Sequence, residues 1–192
     1  VQAVQISNRS IKVDITQNLQ TFVSANINFF NNTDKLISDF KLVSPFSRSS
    51  DLNAKLNSSP VPVSKESSSD PRYEFIIADF KTSPVKINQA GNISITFQAQ
   101  SAISQRNTLK FLFIPGSNDI YNEYILTFPK SFGSPSFVLP ANYSMRETGS
   151  LFEITLKNNS AVLIAWGQEY SVSLKSNFQN SNAESGDSLV QV

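Results

Sequence analysis

Residues 11–29 read IKVDITQNLQTFVSANINF. Ile11, Val13 and Ile15 alternate with Lys12, Asp14 and Thr16; after the break at Gln17-Asn18, Val23, Ala25, Ile27 and Phe29 alternate with Ser24, Asn26 and Asn28. Successive side chains of a strand point to opposite faces, so this period of two buries one face and wets the other. Two such runs across a short polar break predict an antiparallel strand pair. Asn31, Asn32 and Asp34 supply the turn that ends it.

The same period recurs outward from this pair, and no sustained 3.6-residue period competes with it. Strands are predicted at 36–43, at Tyr73, Phe75 and Ile77, at 84–87 as a short edge, and at Ile93, Ile95, Phe97 and Ala99. Further strands follow at 109–114 before the Pro115-Gly116 turn, and at Tyr124, Leu126 and Phe128. The closing stretch reads as a meander: Phe152, Ile154 and Leu156, then 161–166 with Trp166 in the core, then Tyr170, Val172 and Leu174. About a dozen strands, all antiparallel, with turns at intervals of roughly 8 to 12 residues, predict an all-β antiparallel sandwich, either extended or two small stacked sandwiches. The expected domain is 1–176, with 177–192 a polar linker or tail. Segment 44–71 is an insertion in which ten of 28 residues are Ser and four are Pro, read as a long loop with short edge segments at Leu52, Leu56, Val61 and Val63. An interdomain linker is the rival reading of that segment.

The chain has 192 residues, with 16 Lys+Arg against 15 Asp+Glu and a formal charge of +1. Nucleic-acid surfaces show a basic excess or a basic run, and neither is present. With no His and no Cys, thiolate and Ser-His chemistry, zinc and haem ligation and disulfides are excluded within these residues. No cofactor and no metal site is expected. Residues 1–10 hold no signal-peptide pattern, and no apolar run reaches the roughly 18 residues of a membrane helix. Six sequons, at Asn8, Asn31, Asn57, Asn92, Asn142 and Asn158, are not clearly in excess of chance in so Asn- and Ser-rich a sequence. That richness, with low charge, predicts an extracytoplasmic, secreted or cell-surface protein, and the lack of Cys leans to a bacterial one.

Carboxylates are the remaining acid/base groups. A glycosidase needs two of them about 5 to 10 Å apart, and Asp34 with Asp39, Asp119 with Glu123, and Glu147 with Glu153 are the candidate pairs, each better explained as solvated. Asn118, Asp119, Asn122 and Glu123 lack calcium-loop spacing. A ligand surface, if one exists, is expected around Asn118, Asp119, Tyr121, Tyr124 and Tyr143, since Tyr rings tolerate water where Phe rings do not. Carbohydrate binding or adhesion is the alternative function this group would serve.

Two further patterns carry a resemblance. Tyr121, Asn122, Leu126 or Phe128, Pro129, Phe132, Gly133 and Pro135 form one; Leu163, Ile164, Trp166, Gly167, Gln168 and Tyr170 form the other. Together with Asn31-Asn32-Thr33-Asp34-Lys35 before an apolar strand, they resemble the β-sandwich region that precedes the transglutaminase-like domain in bacterial surface proteins, and more distantly the luminal sandwich of ribophorin. In such proteins the Cys-His-Asp machinery belongs to the following domain, so the resemblance transfers no catalytic residue. It implies a non-catalytic accessory or interaction domain of a larger surface-attached protein. The expected partners are an adjacent domain of the same polypeptide and a protein or glycan, with no nucleic acid and no membrane insertion by this chain.

Overall fold

The computed structural model describes residues 4–44, 46, 48–71, 73–115, 122–158 and 161–167. It is nearly all strand. The opening hairpin forms as its alternation predicts: β1 (Gln5–Ile15) pairs antiparallel with β2 (Thr21–Phe30), with Val13 opposite Val23 and Ile11 opposite Ala25. On β2 pairs β8 (Ala90–Ala99), and on β8 pairs β4 (Ser49–Leu56). β4 turns into β5 (Ser59–Val61) through Asn57 and Ser58, both at positive φ, the two-residue turn whose twist matches that of the flanking strands. On the other side β1 pairs with β11 (Asn122–Pro129), then come β14 (Leu151–Asn158) and β13 (Tyr143–Thr148), completing an eight-stranded sheet.

Two small sheets cover one face of it. β3 (Asp39–Ser44), β7 (Glu74–Asp79) and β6 (Val63–Ser67) form a three-stranded sheet; β12 (Phe137–Leu139), β15 (Val162–Trp166), β10 (Leu109–Ile114) and β9 (Ile103–Arg106) form a four-stranded one. The inward residues of β1, β2 and β8, among them Val13, Ile27 and Ile95, and those of β11 and β14, among them Leu126 and Ile154, share one hydrophobic cluster. Phe29 on β2 stacks on Phe40 of β3 at 6.3 Å, and Phe128 on β11 meets Trp166 of β15 edge to face at 5.0 Å. These contacts place one small sheet over each half of the large one.

Three expectations are corrected. The strands are not all antiparallel: β1 and β11 run parallel, Val13 beside Leu126. Such a pair joins residues more than a hundred positions apart, and turn spacing carries no signal of it. The closing meander does not form between 152–156 and 161–166, because β14 lies in the eight-stranded sheet and β15 in the four-stranded one. Alternation shows which face is buried, not whether the next strand lies beside it or across the core. The third expected strand of that meander, with Tyr170, Val172 and Leu174, lies outside the described residues, as does the tail 177–192. Segment 44–71, read as a long loop with short edge segments or as a linker, is mostly strand: the segments expected at Leu52, Leu56, Val61 and Val63 extend to β4, β5 and β6. Its prolines sit where ladders tolerate them: Pro60 on the edge strand β5, and Pro62 between strands. Among the described residues no helix is long and apolar enough to cross a membrane.

Candidate functional site

Of the five residues expected to form a ligand surface, Asn118, Asp119 and Tyr121 lie outside the described residues. Tyr124 is buried on the core face of β11, opposite Leu156 and Ile11, so it offers no exposed ring. Its alternation with Leu126 and Phe128 already fixed that phase. Tyr143 is 40% exposed on the edge strand β13. It stands in the same row as Tyr124, two strands away with Leu156 between them, a separation of about 10 Å.

Glu147 and Glu153 point to opposite faces of the large sheet. Glu153 pairs directly with Arg146, whereas Glu147 stands opposite Phe152. Arg146 holds the Glu153 carboxylate through Nε at 2.8 Å and Nη2 at 2.7 Å, and Lys130 binds Glu147. Two carboxyls on opposite faces, each with its own cation, cannot share one substrate. Asp34 and Asp39 are both exposed and flank a turn. Asp119 of the third pair is not described; its expected partner Glu123 has Lys157 at 3.9 Å.

Elsewhere polar side chains knit the scaffold. Asn31 is fully buried at the end of β2: its Nδ2 donates to the carbonyls of Lys35 and Val85, and its Oδ1 accepts from the Thr33 N–H and hydroxyl. At the end of β7 the Lys81 ammonium donates to Asp79 at 2.8 Å and the Lys81 N–H to the other carboxylate oxygen at 3.0 Å. The ammonium bond, then the backbone bond, hold the Asp79 carboxyl below its ordinary value, and the same carboxylate raises Lys81. Both groups face water, so this is a surface turn and not a tuned catalytic group. A cleft of about 370 Å³ lies between the β4–β5 hairpin and residues 82–90, lined by Asn57, Pro60, Val61, Pro84 and Gln89 with Lys86 as its charged residue. Among the described residues that line it there is no carboxylate and no acid/base pair.

Sequence periodicity did not reveal the outer face of the four-stranded sheet. Leu112, Ile114, Val162, Ile164 and Trp166 point into the core, so the opposite phase of the same strands faces away from it. That phase is apolar too. Phe111 and Phe113 of β10 flank Ala165 and Leu163 of β15, and Phe137 and Leu139 of β12 stand on the other side of the same two residues. Phe113 and Phe137 are each 49% exposed and Leu139 46%. The continuous apolar run at 109–114 was the available signal, since a strand with only one buried face alternates.

The sequence matches no known family and no curated protein. The fold does recur in solved structures. An M1 zinc metallopeptidase from Deinococcus radiodurans superposes with a TM-score of 0.54 at 10% identity, over 86% of this chain and 43% of its own. A structure described as a two-domain M1 zinc metallopeptidase, bound to L-tryptophan, gives the same values. The aminopeptidase A of Legionella pneumophila gives 0.51 at 11% identity, over 88% of this chain and 22% of that one. The chain thus spans less than half the length of these structures. At such identities the likeness is one of fold, and it does not bear on the transglutaminase-like resemblance of the sequence.

Proposed function

We propose that this chain is a non-catalytic β-sandwich domain of a larger, extracytoplasmic and surface-attached polypeptide, and that it works by holding and contacting its neighbours. The observation that carries the reading is the pairing of a peptidase-like fold, matched over 43% of two-domain zinc peptidases, with a sequence that holds no His and no Cys. The groups such an enzyme needs to bind zinc through nitrogen or sulfur are absent from this part, so chemistry belongs to another part of the polypeptide. The carboxylate geometry agrees: Glu147 and Glu153 are separated by the sheet and each is tied to a cation. The companion domain is a hydrolase or transferase of peptide bonds, as both the fold likeness and the transglutaminase-like resemblance suggest.

The test is to purify residues 1–192 and assay hydrolysis of aminoacyl anilides, peptides and oligosaccharides, with Glu147→Gln and Glu153→Gln beside the parent chain. The expected result is no turnover above the uncatalysed rate in any of the three proteins. Turnover by the parent chain that disappears in either variant would overturn the reading.

A further inference from the structure

The cleft between the β4–β5 hairpin and residues 82–90 has both of its walls tied to the scaffold. On the hairpin side, Asn57 turns the chain at positive φ; its N–H donates to the Asn92 carbonyl at 2.9 Å, and its Oδ1 accepts from the Asn92 N–H at 2.8 Å. On the other side, Val85 exchanges two main-chain hydrogen bonds with Ile37, at 3.0 and 2.9 Å. The fully buried Asn31 holds the rest of that wall: its Nδ2 donates to the Val85 carbonyl, its N–H to the Gln89 carbonyl, and its carbonyl accepts from the Asn88 N–H. A cleft held this way is formed before any ligand arrives, so little ordering remains to be done on binding. Its volume, about 370 Å³, stands at the small end of the range for small-molecule sites and suits a ligand of one or two sugar rings.

The lining specifies the ligand's chemistry. Lys81, on the turn before it, is bound to Asp79, whereas Lys86 has no carboxylate within ion-pair distance among the described residues. The hydroxyls of Ser59, Thr82 and Ser83 and the side-chain amide of Gln89 make no hydrogen bond among the described residues either. One uncompensated ammonium balances one negative charge. A phosphate monoester carries about −1.5 to −2 at neutral pH, more than this cleft offsets, and a carboxylate carries one. An extended peptide would need main-chain partners, yet the nearest sheet edge, β5, is three residues long and holds Pro60, which has no N–H. Hydroxyls and amides instead both donate and accept, as sugar hydroxyls require, and the rings of Pro60, Pro62 and Pro84 offer apolar walls to sugar carbons. We propose that this cleft binds a singly charged sugar acid of the uronic-acid class, its carboxylate against the Lys86 ammonium and its hydroxyls against Ser59, Thr82, Ser83 and Gln89. The assignment goes beyond the reading of the chain as a non-catalytic domain and does not depend on it.

The test follows backbone amide shifts by NMR in isotope-labelled residues 1–192, titrated separately with glucuronate, glucose, acetate and inorganic phosphate up to about 50 mM. Glucuronate should give saturable shifts at Asn57, Lys86 and Gln89, and the other three should bind about tenfold more weakly or less. Lys86→Met should bring glucuronate down to the affinity of glucose and leave the urea midpoint unchanged, since the side chain is exposed. Gln89→Ala should weaken both sugars, and Lys157→Met, on β14, neither. Absence of a saturable shift with glucuronate overturns the site, and equal affinity in the parent chain and Lys86→Met overturns the charge assignment on which it is built. Acetate or phosphate binding as tightly as glucuronate reduces the cleft to a bare anion contact and overturns the sugar class. The non-catalytic reading stands under each of these outcomes, because it is decided by turnover.

Discussion

Asp79 and Lys81 show how little a conspicuous charge pair implies at a strand end. Lys81 closes a turn over the Asp79 carboxylate, and the lowered Asp79 value means the folded state binds its proton less tightly than the unfolded chain. Stability from this carboxylate is therefore complete above the ordinary aspartate value of 3.8 and is lost as pH falls through the depressed folded value. Replacing Lys81 by Met removes the ammonium bond but keeps the backbone N–H bond, so the Asp79 titration, followed by carboxyl carbon NMR, should rise part of the way toward its ordinary position and the acid limb of stability should become shallower. An unchanged midpoint would mean the bond is not held in solution. Buried polar groups followed another logic. Asn31 belonged to a turn in the sequence reading, and only the fold shows that its amide also reaches Val85, 54 residues away.

At the level of strands, β8 carries a feature that no propensity scale predicts. Gly91 lies inside a long strand, where glycine ordinarily weakens the ladder. Its neighbour across the strands is Phe29, and a Cβ built on Gly91 would stand 2.4 Å from that ring. The ring lies over the glycine backbone, so Gly91→Ala should push Phe29 off Phe40 and cost about 1 to 3 kcal/mol in urea denaturation, the usual range for overpacking. In a double-mutant cycle with Phe29→Leu most of that cost should vanish; an additive cycle would place the strain elsewhere. The strands with one wet face, β1, β2, β8 and β14, were legible because their alternation is complete. β13 was not, since all six of its residues are exposed on a sheet edge and no burial pattern marks them. β4 to β6 were legible only as short segments at Leu52, Leu56, Val61 and Val63, since Ser and Pro dominate there and their extent is decided by pairing with β8, β4 and β7 in turn.

For the whole molecule, the two small sheets share one core with the large one, and Trp166 sits at that junction with 1% exposure, against Phe128 and Phe132. Because it is the single tryptophan, its emission reports packing between the sheets, while far-UV circular dichroism reports the strands as a whole. One cooperative unit requires the two signals to change together in urea. Trp166→Ala should cost about 3 to 5 kcal/mol. With an m-value of about 2 kcal/mol per molar, this lowers the dichroism midpoint by about 2 M. In the parent chain, a fluorescence change that precedes the dichroism change would show the four-stranded sheet detaching as a separate unit.

Period-two alternation, by itself, determined that this chain is all-β and that Trp166 and most of the apolar strand residues lie inside, and composition that it holds no His and no Cys. Those conclusions need only side-chain type and the geometry of one strand. Tertiary structure alone decided that β1 lies parallel to β11, that β14 and β15 part company across the core, and that Phe113, Phe137 and Leu139 share one open face. Each depends on which strands become neighbours. That choice is made by packing between residues far apart in sequence, and local periodicity is identical for a strand beside its predecessor and one facing it.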